Sequence, residues 1–315
     1  MKGLTDIPGI RVGHISDYQA VTGCTAILVD GGAVAGIDLR GSATGSSEAD
    51  VLNPLHITPL VHGLCLAGGS AFGLEAASGV RNYLASKGVG FKFGNATVPI
   101  VPGSILFDLG IGKADVRPTR EMGQAAAAAA TTETVSEGNV GAGTGCTVGK
   151  LKGMRQAMKA GIGSFTVKLN EKVLVSALVA VNAFGDVIDS SNGKIVAGAR
   201  TAPDSKDFIN ITAALLSGAR RATPGGNTTL AVVATNAKLT KPEATKLAQF
   251  AQQGIVRNIS PVHTVVDGDT AYALSVGTET ADFVSLGVAA AEAVSQAILR
   301  SVRTARTLAG VPGLA

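Results

Sequence analysis

Gly225-Gly226-Asn227-Thr228-Thr229-Leu230-Ala231-Val232-Val233 sets a flexible hinge against an apolar, β-branched run, with a hydroxyl residue at the junction. The run reads as a buried strand and the glycines as the turn that feeds it. A second reading of the same residues is a self-cleavage site. Paired glycines reach backbone conformations closed to other residues, so the Asn227 carbonyl can be held in a strained geometry beside the Thr228 hydroxyl. Attack there would move the acyl group from nitrogen to oxygen, and water would then split the chain. The freed Thr228 would carry both a nucleophile and an α-amine of pKa about 7.7, a base partly neutral near physiological pH. From these residues alone both readings stand, and the plain turn is the commoner one.

On either side of this stretch, strand and helix patterns alternate. Residues 173–181 are apolar and β-branched enough for a central strand, and 230–235 and 272–276 read as further strands. Helices are expected over 208–220, over 241–253 behind a Pro242-Glu243 start, and over the Ala-rich 282–307. Earlier in the chain, 24–29 and 33–39 flank Gly31-Gly32 like a hairpin or meander, while 70–86 and 119–132 have helical spacing. There is no regular βαβ period and no Pro/Ser linker. One layered α/β (α+β) domain over residues 1–315, with sheets in the middle, follows.

Composition supports close packing. The 41 glycines, long alanine runs, absence of Trp and 4% aromatic content favour tight approach of backbones over aromatic anchors. Lys plus Arg exceed Asp plus Glu only by 27 to 23, and the basic residues are dispersed, so no nucleic-acid partner is expected. Cys24, Cys65 and Cys146 lack CxxC spacing and are expected reduced and buried. The first residues lack the apolar core of a signal peptide, and no apolar run approaches the roughly 18 residues of a membrane span, so a cytoplasmic protein without membrane partners is expected.

Three stretches mimic known chemistry. Leu66 to Gly73 leads an apolar run into a helix whose first amides could hold an anion, but its spacing is not that of a dinucleotide fingerprint. Gly143-Thr144-Gly145-Cys146-Thr147-Val148-Gly149-Lys150 imitates a phosphate loop, yet five residues separate Gly143 from Gly149 and Leu151 follows Lys150, which leaves a turn or a substrate-lining loop. Asp267-Gly268-Asp269 places two carboxylates on one face of an extended segment, where they could take protons or orient an amine. The four histidines share no ligand spacing and no GxSxG elbow occurs, so neither a metal site nor a Ser-His-Asp hydrolase is indicated.

Read together, these stretches resemble the L-aminopeptidase/D-esterase family of self-processing N-terminal-nucleophile hydrolases, which includes the β-peptidyl aminopeptidases. The resemblance runs nearly the whole chain. It rests on Gly3-Leu4-Thr5-Asp6-Ile7-Pro8-Gly9-Ile10-Arg11-Val12-Gly13-His14, Thr22-Gly23-Cys24-Thr25, Asp38-Leu39-Arg40-Gly41, Leu66 to Leu74 and Val101-Pro102. Further on it rests on Gly138-Asn139-Val140-Gly141-Ala142-Gly143-Thr144-Gly145, Val181-Asn182-Ala183-Phe184-Gly185, Asn227-Thr228-Thr229-Leu230 and Asp267-Gly268-Asp269.

The resemblance implies an αββα four-layer sandwich, self-cleaved between Asn227 and Thr228 into an N-terminal subunit of residues 1–227 and a C-terminal subunit of 228–315 that stay together in a homo-oligomer. It implies an aminopeptidase, with amidase or esterase reach, acting on short peptides or amides without metal or cofactor. Thr228 matches the nucleophile, Asn182 an amide that donates to the oxyanion, and Asp267 with Asp269 a Ser-Gly-acid element in which Asp267 stands for the family's serine. The tyrosine that some members place after Gly-Thr-Gly is missing. Glu137 is the expected partner of the substrate ammonium, beside a loop in which Gly143 and Gly145 line the substrate. An acyltransferase of the ornithine acetyltransferase type and a non-catalytic binding or assembly protein of the same fold remain alternatives.

Overall fold

In a computed structural model, residues 1–221 and 226–315 are described; Gly225 of the hinge lies outside them. Eight strands carry the fold: β1 Ile10–Asp17, β2 Thr22–Leu39, β3 Val61–Ala67, β4 Gly103–Ile105, β5 Ile162–Lys168, β6 Leu174–Asn182, β7 Thr228–Ala237 and β8 Thr270–Glu279. Their hydrogen-bonded order is β5-β6-β7-β8-β2-β3-β4, with β1 also on β2. Neighbours are antiparallel except β7 with β8 and β3 with β4.

The stretch expected to form a hairpin around Gly31-Gly32 is instead one continuous strand of 18 residues. Both glycines sit at positive φ, 80° and 83°, and the register against β3 slips between Leu28 and Ala33. This is a bulge that bends a strand without reversing it. Its consequence is architectural. The first half of β2 pairs with β1 and β3, the second half with β8, so one strand belongs to two sheets.

Side-chain alternation along β2 then separates two cores. Cys24, Ala26 and Leu28 face α1 (Glu75–Ser86) and α2 (Arg120–Ala128), while Ile27 and Val29 face the apolar strands β6 and β7 of the other sheet. A short α3 spans Ile211–Leu216. On the far side α4 (Lys241–Asn258) packs on β2 and β8, and α5 (Phe283–Arg303) on β5 and β6. The result is the αββα sandwich. Small residues make the helix layers possible: a Cβ on Gly79 of α1 would lie 1.8 Å from the Arg120 carbonyl oxygen, and one on Gly123 of α2 1.9 Å from that of Ala76.

α5 is the exception to the expectation that no segment could span a membrane. Its 21 residues are long and apolar enough by composition. In the fold the apolarity has another use, since Leu286, Ala290, Val294 and Ile298 are buried against the strands.

The parallel pairing of β7 and β8 brings the starts of both strands to one end of the sheet, and antiparallel β6 finishes there. Asn182, the last residue of β6, lies opposite Thr228, the first of β7, and Asn227 bridges to Asp267 just ahead of β8. Residues separated by dozens of positions are gathered by topology alone.

Candidate active site

At that end, Thr228 is almost fully buried and its hydroxyl donates to the carbonyl oxygen of Asn227 at 2.5 Å. The same oxygen accepts the Gly268 backbone N–H at 2.7 Å. The hydroxyl of Thr228 is thus set against the peptide group that precedes it, in an uncleaved chain. Gly226 lies on the ring of Phe107, with room for no side chain of its own: a Cβ would fall 2.8 Å from the Phe107 Cβ.

The two aspartates point to different tasks. Asp269 accepts the Thr229 N–H through Oδ1 at 2.7 Å, and its Oδ2 takes the backbone N–H and Nδ1 of His263 at 3.1 and 2.9 Å. Asp267 accepts the Phe184 N–H at 3.3 Å, the Thr264 N–H at 3.1 Å and the Thr264 hydroxyl. Burial, and then the neighbouring Asp269 charge, raise the pKa of Asp267 above the usual carboxylate value.

Asn182 is the hub of the opposite wall. Its Nδ2 donates to the Phe107 carbonyl at 2.7 Å, and its Oδ1 accepts the Thr147 N–H at 3.1 Å and Lys150 Nζ at 2.7 Å. Lys150 Nζ also donates to the Asn182 carbonyl at 3.0 Å. Burial lowers the Lys150 pKa to about 7, and that of Lys159, whose Nζ holds the carbonyls of Thr144 and Cys146, to about 8. Lys159 therefore fixes the loop that presents the Thr147 amide and Lys150.

Those two amines carry a pH-dependence of stability. Below about pH 7 both are protonated folded and unfolded, and the cost of burying the charges is fully present. From there towards the ordinary value of 10.5 the unfolded chain holds protons that the folded chain has released, so this contribution makes the fold more stable as pH rises. In urea unfolding between pH 7 and 9.5, Lys159→Met should show a shallower rise than wild type; equal slopes would exclude the buried amine as the source.

A cavity of about 390 Å³ opens beside Asn227, lined by Phe107, Asp108, Gly145, Thr147, Lys150, Met154, Phe184, Arg221 and Gly226 among others. Asp108 is the carboxylate in this lining among the described residues. Its Oδ1 accepts the Gly69 N–H and its Oδ2 the Thr22 hydroxyl, each at 2.7 Å, and burial raises its pKa. The Thr22-Gly23 and Gly68-Gly69 motifs serve here to hold that carboxylate.

Glu137 does not join the site. Its carboxylate pairs with Arg300 of α5 and accepts the Ser164 N–H, and it borders other surface hollows, because the Gly138 loop packs on β5 and not on β7. The loop glycines divide likewise: Gly145 lines the cavity, whereas Gly143 packs against Gly161 and Ile162. Sequence reasoning placed Lys150 only in a turn or substrate-lining loop and gave no site role to Asp108 or His263. The available signals are a lysine closing an apolar glycine stretch, two residues before Lys152, and a lone carboxylate inside Leu106-Phe107-Asp108-Leu109. Among the described residues no group of three His, Cys, Asp or Glu side chains could hold a metal, and the three cysteines are free and buried.

An uncharacterized aminopeptidase of Mycobacterium leprae is 37% identical, the match covering 99% of this chain and 93% of that protein. A 6-aminohexanoate-oligomer endohydrolase of Kocuria sp. is 29% identical over 95% of this chain and 85% of its own. Solved structures that share the fold include the following two. One is the L-aminopeptidase D-Ala-esterase/amidase of Ochrobactrum anthropi, described as a variant of the Ntn hydrolase fold, with a TM-score of 0.75, 18% identity and coverage of 99% of this chain and 88% of that one. The other is a Burkholderia sp. β-aminopeptidase, with a TM-score of 0.69, 23% identity and coverage of 100% and 91%. The pattern of Peptidase family S58 matches residues 2–315, and with that match over the whole fold the chain belongs to Peptidase family S58.

Proposed function

We propose that this hydrolase is a self-processing aminopeptidase that works through an acyl-enzyme on Thr228. The observation that carries the reading is the buried Thr228 hydroxyl 2.5 Å from the carbonyl oxygen of its own upstream peptide. Cleavage there yields subunits 1–227 and 228–315 and frees the Thr228 amine. In turnover Oγ1 attacks the scissile carbonyl, and the amine takes the proton and passes it to the leaving nitrogen; water then releases the acyl group. Asp269 orients the nucleophile through the Thr229 amide, and Asp267 braces Thr264 and Phe184 around it. Lys150, which lines the cavity and is held by Asn182, faces the developing oxyanion. The names of the Mycobacterium leprae and Burkholderia relatives support the amino-end specificity.

Recognition of a free amino end needs an acid in the cavity, and Asp108 takes the role expected of Glu137. Acetylating the substrate removes the ammonium and leaves a buried carboxylate unpaired, which typically costs several kcal/mol. Free aminoacyl amides should therefore be cleaved on the order of 100-fold faster in kcat/KM than their N-acetyl forms. Asp108→Asn should close most of that gap by raising KM for the free amine. Equal rates on both forms by wild type would replace amino-end recognition with internal amide hydrolysis, the activity in the name of the Kocuria relative.

A further inference from the structure

The Asp267-Gly268-Asp269 turn holds more than two carboxylates. Its backbone is clamped from behind: Ala43 N–H bonds the Asp267 carbonyl at 2.9 Å, and Arg40 and Gly41 N–H bond that of Asp269 at 3.0 and 3.2 Å. From the front it grips the hinge. Asn227 N–H donates to the Val266 carbonyl at 3.1 Å, and the Asn227 carbonyl accepts Gly268 N–H at 2.7 Å. Both backbone polar groups of Asn227 are thus fixed by residues 266–268, with the Thr228 hydroxyl on the same carbonyl oxygen. The position is too crowded for a side chain, since a Cβ on Gly268 would fall 2.7 Å from Thr228 Oγ1 and 2.6 Å from the Ala43 carbonyl oxygen. Asn182 Nδ2, by contrast, is directed to the Phe107 carbonyl, and Lys150 Nζ donates to the carbonyl and side-chain oxygens of Asn182.

From this geometry we infer that the backbone N–H of Gly268 is the oxyanion donor for self-cleavage. The inference rests on the proposed self-processing at Thr228. Oγ1 bonds to the Asn227 carbonyl carbon, and the carbonyl π electrons move onto the oxygen that Gly268 N–H already holds. The hydroxyl proton is transferred to the Thr228 nitrogen. The C–N bond then breaks to leave an ester on Oγ1 and a free amine. Water hydrolyses the ester, restoring the hydroxyl and leaving a carboxylate on Asn227. The Arg40-Gly41 and Asp-Gly-Asp motifs gain a shared purpose, which is to aim one amide at one oxygen.

The test replaces Gly268 by glycolic acid in cell-free translation of the full chain, which exchanges the N–H for an oxygen and adds no side chain. Conversion of precursor to fragments is followed by intact mass, with and without hydroxylamine. Loss of a single preorganised donor should slow cleavage on the order of 100-fold, and hydroxylamine should not restore it, because the block precedes the ester. A rate within about threefold of wild type, or a slow rate rescued by hydroxylamine, overturns the inference. Wild-type protein that never cleaves would sink the self-processing reading itself. A second measurement does not depend on the depsipeptide folding: in uncleaved Thr228→Ala, hydrogen exchange at Gly268 N–H should be strongly slowed. Exchange at the free-peptide rate would also overturn the assignment.

Discussion

Thr228→Ala should remain a single chain of 315 residues under denaturing conditions, where wild type should run as fragments 1–227 and 228–315, and it should lose turnover altogether. The substitution removes one oxygen and one methyl, yet deletes two catalytic groups. Without Oγ1 there is no attack on the Asn227 carbonyl, so the peptide survives, and with the peptide intact there is no α-amine to act as base. The loss in kcat should be of the order of 10⁶, the scale seen when a hydrolase loses its nucleophile. The fold should survive, because Gly268 N–H and the Val266 carbonyl still hold Asn227, and β6 and β8 still flank β7. Thr228→Ser should cleave and turn over, since Oγ is kept. Wild type found intact and active would remove both the processing and the mechanism. A cleaved Thr228→Ala would point to an external protease.

Regular elements were legible where the cause is local. β6 and β7 follow from runs of β-branched and apolar residues, and α4 from its start, where Thr240 and Glu243 close a reciprocal cap around Pro242. Errors arose where a residue answers to something distant. The expected helix stops at Gln253, but α4 runs to Asn258, because Gly254 is a contact with α5 in which a Cβ would meet the Ala291 carbonyl oxygen at 2.4 Å. The helix expected over 208–220 shrinks to Ile211–Leu216 behind Asn210, a left-handed residue whose side chain caps the Ala213 N–H. Gly31-Gly32 looked like a reversal because local pattern cannot separate a bulge from a turn.

The site divides the same way. Thr228, Asn182, Asp267 and Asp269 stand out as motifs in the sequence, and strand register brings them to one end of the sheet. Asp108 and Lys150 were invisible as a pair, since nothing in the chain between them says that the Phe107 carbonyl and the Thr147 amide converge on Asn182. Glu137 stands beside the Gly138 loop in the sequence, but α5 turns it away from the site by offering it Arg300.

Lys150→Met should self-cleave and then turn over on the order of 100- to 1,000-fold more slowly in kcat, with KM changed little. An ammonium has three hydrogens, and two of them go to the carbonyl and the side-chain oxygen of Asn182. The third is left for the cavity that Lys150 lines, where a substrate oxyanion would develop. Methionine keeps the length and apolar stem and removes only the donors. The pH profile separates this role from simple packing. Burial holds the Lys150 pKa to about 7, so in the free enzyme its charged form declines as pH rises through that value, and kcat/KM should fall on the alkaline side. The Thr228 amine works in the opposite sense, since it must be neutral to take a proton, and so sets the acid limb. Wild type should give a bell, and Lys150→Met only the rising acid limb. An unchanged bell in Lys150→Met would assign the alkaline limb to another group and leave Lys150 as a brace for Asn182.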